Sequence, residues 1–137
     1  MQKLELVRRL PAFAGLDDAT LKPLSRALLT RYAAPGQVIQ SKDAHERAVY
    51  FISSGAVEAE TAGVRHRLGR GEMFGQMFLL MKNPLRTEVK AIVPSTLLKL
   101  DEERFRKLLK RSPALRQVVR DAAVKRGVDP DALDVAL

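Results

Sequence analysis

The chain has 137 residues, no cysteine and a formal charge of +8, from 24 Lys and Arg against 16 Asp and Glu. That length suits one domain with its own apolar core, and the lack of cysteine excludes disulfide staples, a thiol nucleophile and zinc-thiolate sites. The positive excess favours anionic partners such as nucleotide, acidic lipid, nucleic acid or an acidic protein surface, while 5 % aromatic residues leave little for base-stacking platforms.

The opening MQKLELVRR mixes charged and apolar residues and lacks the uninterrupted apolar core of a signal peptide. Nowhere do eighteen apolar residues run together, so a soluble, cytoplasmic chain is expected. Leu4, Val7 and Leu10 recur at helical spacing until Pro11. Asp17 is an N-cap candidate for a second helix carrying Leu21, Leu24, Ala27 and Leu28, with Pro23 inside it. Ala34-Pro35-Gly36 then marks a turn, and the character changes to short β-rich pieces beginning at Val38 and Ile39.

Polar residues Ser41 to Arg47 read as a loop, and Ala48 to Ile52 is apolar on both faces, which predicts a buried strand. Ala56 to Glu60 and Val64 to Leu68 alternate as strands around Gly63, with Glu58 and Glu60 on one side. Thr87 to Ile92 and Thr96 to Leu100 supply two more. Helical signals return at Asp101, an N-cap candidate before Phe105, Leu108 and Leu109. Ser112-Pro113 starts another helix, whose apolar stripe is Leu115, Val118, Val119 and Ala122 and whose end falls at Gly127. The denser basic groups, Arg104 to Arg111 and Arg116 to Arg126, read as solvated helix faces.

Between Leu68 and Ala91 lies LGRGEMFGQMFLLMKNPLRTEVKA. Gly69, Gly71 and Gly75 permit close backbone approach, Gln76 to Leu80 offers one helical turn with free amides, and Arg86 could supply a countercharge to an anion. The same glycines near Phe74 would also shape a β-turn under a core. The spacing is one residue off the dinucleotide fingerprint and lacks its strand-helix-strand unit. His45 and His66 are isolated and read as surface residues, while Asp17-Asp18 and Glu102-Glu103 sit at helix starts, where the dipole accounts for them. The residues present no Ser-His-Asp or Cys-His arrangement and no metal-ligand set, so no enzyme is expected. Met77-Phe78-Leu79-Leu80-Met81 is an apolar run that suits either core or a protein contact.

The segments LPAFAGLDDATLKPLSRAL, YAAPGQVIQ, VYFISSGAVE, LGRGEMFGQMFLL, NPLRTEVKA and LLKLDEERFRKLLKRSPAL, in that order, resemble the cyclic nucleotide-binding domain of the catabolite-activator type. The style is similar to domains of bacterial cation channels and cation/proton antiporters. The resemblance implies a mainly β fold with flanking α: a jelly-roll-like β-barrel with N-terminal helices, a short phosphate-cassette helix and C-terminal helices. It implies a domain over residues 1–127, with helices to about 30, barrel to about 100 and helices to 127, followed by a tail over 128–137. Carried onto this chain, the cyclic nucleotide site comprises Phe74, Gly75, Gln76, Met77, Leu85, Arg86 and Thr87, with Arg120, Lys125 and Arg126 as candidates to cap the base.

Two positions depart from the family's pattern. Gln76 stands where a glutamate accepts from the ribose hydroxyl, and Leu85 follows Pro84 directly where an arginine binds the phosphate, placing Arg86 one residue late. The implied function is a regulatory cyclic AMP or cyclic GMP domain controlling a membrane cation-transport protein or another protein partner. The alternative is a degenerate member serving as a nucleotide-independent interaction or oligomerisation module. Only about ten residues follow Gly127, too few for the DNA-binding helix-turn-helix of the family's transcription factors.

Overall fold

The computed structural model describes residues 3–10, 13, 15–43, 47–75, 86–127 and 129. Its architecture follows from one strand that has no solvent face. In Ala48–Ser54 (β3) every residue but the last is buried, as the unbroken apolar run requires. Val49 and Phe51 pack with the helices, whereas Ala48, Tyr50 and Ile52 face a second sheet.

The strands form two antiparallel four-stranded sheets. The first has the order Leu29–Ala33 (β1), Ser95–Asp101 (β8), β3, Met73–Phe74 (β6). The second has the order Val38–Gln40 (β2), Thr87–Ala91 (β7), Ala56–Thr61 (β4), Val64–Gly69 (β5). This interleaving of early and late strands is a jelly-roll arrangement. Among the described residues the sheets face one another and share no hydrogen-bonded ladder that would close a continuous barrel. Between them lies a core built on Ile52, Val57, Phe74, Val89 and Leu97.

The outer face of the second sheet is charged, and its register sets charges beside one another. Glu58 lies opposite Arg67 and Lys90, and Glu60 lies opposite Arg65 on one side and Glu88 on the other. Lys42 adds an ion pair to Glu60 at 3.2 Å. His66 is exposed on β5.

Among the described residues four helices cover the other face of the first sheet: Lys3–Arg9 (α1), Asp18–Ala27 (α2), Glu102–Arg111 (α3) and Pro113–Lys125 (α4). Their starts follow the capping chemistry expected from the residues. Asp17, Asp101 and Ser112 accept from the main-chain N–H groups of Thr20, Arg104 and Leu115 at 2.9–3.0 Å. Pro23 sits inside α2 at an exposed position, and the helix runs through it. Phe13 meets Phe51 edge-on at a centroid distance of 4.8 Å, tying the α1–α2 connection to β3.

Two strands were not anticipated. Leu28 is already extended, with ψ 135°, so β1 begins at Leu29, inside the span expected to be helical. Thr30 and Tyr32 suit a strand, and β8 pairs with all five β1 residues. β6 has only two residues, too few to leave a periodic signal.

Candidate functional site

The site grows out of the turn that joins β5 to β6. Gly69 and Glu72 close it reciprocally: the Glu72 carboxylate accepts from the Gly69 N–H at 3.1 Å, and the Glu72 N–H donates to the Gly69 carbonyl at 3.1 Å. The turn is fastened to β3, because Gly71 N–H donates to the Ile52 carbonyl at 2.8 Å and Ile52 N–H donates to the Glu72 carbonyl at 2.9 Å. β6 then carries Phe74 into the inter-sheet core, where its ring stacks on Tyr50 at 4.9 Å and 14°. The Tyr50 hydroxyl accepts from Arg31 at 3.0 Å. Gly75 follows with φ +91°, and a Cβ there would come within 2.4 Å of the Ala48 carbonyl oxygen. The left-handed backbone and the tight approach both demand glycine.

Helix α4 lies over this turn. Leu115, Val119 and Ala123 bury one face of it, which leaves Val118, Ala122 and Lys125, at helical spacing, on a neighbouring face. Between them and the turn is a cavity of about 480 Å³, also lined by Arg70, Glu72, Met73, Asp121 and Arg126. Its size falls within the usual range for small-molecule sites. Its wall carries three cations and two carboxylates, so polar and charged ligand groups have partners there. Arg126 donates to the Met73 carbonyl, and burial lowers its pKa from the ordinary arginine value while Glu72 pulls it back up. The Lys125 ammonium stands 4.0 Å from the Glu72 carboxylate.

The cyclic nucleotide-binding domain family model matches residues 30–112, from β1 through both sheets to the end of α3. The chain belongs to the cyclic nucleotide-binding domain family. A cyclic nucleotide-gated potassium channel of Rhizobium etli is 32 % identical over 126 residues, covering 92 % of this chain and 36 % of the channel. The chain spans about a third of the length of the bacterial potassium-channel relatives it matches. Among solved structures, the Thermus thermophilus catabolite activator protein has a TM-score of 0.69 at 26 % identity, covering 85 % of this chain and 57 % of that one. A regulatory subunit of a cAMP-independent protein kinase A from Trypanosoma brucei has a TM-score of 0.75 at 20 % identity, covering 94 % of this chain and 47 % of that one.

Within this cyclic nucleotide-binding domain, the residues expected at the ligand are distributed unevenly. Gln76, Met77 and Leu85, like the apolar run from Met77 to Met81 and most of the tail over 128–137, lie outside the described residues. Phe74 belongs to the core and Gly75 to the passage out of β6. Arg86 is exposed and pairs with Asp43 at 2.8 Å. Thr87 opens β7, where its hydroxyl meets that of Thr61 at 2.7 Å and its carbonyl accepts from Gln40 at 3.2 Å. Of the three base-cap candidates, Lys125 and Arg126 line the cavity and Arg120 does not. Arg120 is two residues from both Val118 and Ala122, which turns it about 200° away from that face. Sequence reasoning missed Arg70, Glu72, Met73 and Asp121. The spacing of Val118, Ala122 and Lys125 was the signal available for the helix side of the cavity.

Proposed function

We propose that this chain is the cyclic nucleotide sensor of a regulatory protein: it binds cyclic AMP or cyclic GMP without catalysis and passes the binding event to a protein partner. Residues 1–127 form the sensing unit and 128–137 a tail. The cavity under α4 carries this assignment, because it joins a roof helix to the β5–β6 turn that leads directly into the glycine-marked cassette. In this proposal ribose and phosphate lie against Gly75, Gln76, Met77, Leu85, Arg86 and Thr87, and the purine toward α4. A ligand that binds the docked helix more tightly than the free one shifts the population toward docking.

The partner we favour is a membrane cation-transport protein, since relatives are named as cyclic nucleotide-gated potassium channels. A cytoplasmic position at the inner leaflet suits the charge of +8. Among the described residues no helix is long and apolar enough to cross a membrane, so the transport part would lie elsewhere in such an assembly.

A second function, a nucleotide-independent interaction or oligomerisation module, is favoured by the Arg86 side chain, which pairs with Asp43 at the exposed surface, and by Leu85 in the position after Pro84. Calorimetric titration separates the two. Sensing gives saturable heat with cyclic AMP or cyclic GMP at micromolar concentrations; heat equal to buffer dilution at millimolar ligand leaves the module function.

A further inference from the structure

A groove of about 310 Å³ runs between α2 and α3. Each helix supplies one wall at helical spacing: Pro23, Arg26 and Ala27 from α2, and Arg104, Lys107 and Leu108 from α3. None of these residues lines the cavity under α4. The recessed strip is apolar, because Leu108 is buried and Ala27 half-buried, while Arg26, Arg104 and Lys107 stand exposed at the rim. Lys22 and Arg111, also exposed and one helical turn from Arg26 and Lys107, extend that rim. Where α2 begins, the Thr20 hydroxyl meets that of Ser112 at 3.4 Å and ties the two walls together.

Among the described residues the lining holds three cations and no carboxylate. Asp101 faces Arg104 at 3.4 Å and Glu103 faces Lys107 at 3.1 Å, yet all four side chains are roughly half exposed or more, and such pairs exchange readily for an incoming carboxylate. Arg26 forms no ion pair with a described residue. A flat bilayer would meet the rim alone and leave the recessed strip empty, whereas a peptide fills both. We propose that the α2–α3 groove docks an acidic, amphipathic peptide segment of a protein partner, with apolar side chains on Ala27 and Leu108 and carboxylates on Arg26, Arg104 and Lys107. This goes beyond nucleotide sensing and holds whether or not nucleotide binds.

The test titrates the whole chain with a synthetic peptide of about 14 residues, leucine at helical spacing and glutamate elsewhere. Saturable amide shifts are expected over residues 22–27 and 104–111. The double variant Arg26→Gln with Arg104→Gln keeps the stems and the helices and should bind about tenfold weaker or less. Arg65→Gln with Arg67→Gln removes the same charge from exposed positions on β5 and should change affinity less than about twofold. Equal losses in the two variants would overturn the site, since net charge alone would then attract the peptide. So would equal binding of a peptide with serine in place of every leucine, or shifts that bypass the groove. Vesicles of phosphatidylcholine and phosphatidylserine are the remaining arm: if they bind the parent and lose the groove variant while the peptide shifts nothing, the face reads membrane and the peptide site is overturned.

Discussion

At Gly75 and Arg86, on either side of the cassette, two side-chain requirements differ sharply in strength. Gly75 combines φ +91° with a space already filled by the Ala48 carbonyl. Gly75→Ala is expected to lower stability by about 1–3 kcal/mol, measured by urea denaturation, because β3 cannot retreat from its position between two cores. An unchanged midpoint would show that the β3–β6 contact is softer than its geometry. The Arg86–Asp43 pair is the opposite case, with side chains 71 % and 84 % exposed. Solvent screening makes such pairs weak, so Asp43→Ala should change stability by less than about 1 kcal/mol. Its informative effect is on ligand: freeing Arg86 should leave nucleotide affinity equal or improved. Calorimetry showing a tenfold loss would mean that Asp43 orients Arg86 for binding.

Among the elements, the helices were the most legible in the sequence, because their starts are written in single residues. Asp17, Asp101 and Ser112-Pro113 all cap the helices they announce. Ser112 does more than its composition suggests: it is buried, and its hydroxyl also meets that of Thr20 at 3.4 Å, joining α4 to α2. Ser112→Ala should therefore cost about 1–2 kcal/mol, at the upper end for a cap, and a loss of only a few tenths in thermal unfolding would show that the Thr20 contact contributes nothing. Strands were legible where burial is one-sided or complete, as in β3 and β4. They were illegible where the strand lies at an edge, as in β1 with its mostly exposed side chains, or is as short as β6. The cavity itself was half legible. Its floor comes from a turn whose glycines stand out, but Glu72 and Met73 gain their roles from β3 and α4, which are distant in sequence.

Across the whole molecule, the jelly-roll order of the sheets was implied by resemblance and could not be read from periodicity, which records faces and not neighbours. That order brings β3, β6 and α4 together and so places the cavity between a fixed turn and a helix held partly by polar bonds. The double substitution Leu85→Arg with Arg86→Ser restores the residue order implied by the family and should raise cyclic nucleotide affinity about tenfold or more. Equal affinity in parent and variant, measured by calorimetry, would mean that the native order already serves the phosphate.

The central claim is that cyclic nucleotide enters the space between the β5–β6 turn and α4, and amide chemical-shift mapping with cyclic AMP and cyclic GMP tests it most directly. Saturable shifts are expected in residues 70–75, 86–87 and 118–126, with sheet edges and α1 unaffected. Spectra unchanged at millimolar nucleotide, or shifts confined to other surfaces such as the α2–α3 groove around Arg26 and Lys107, would contradict it.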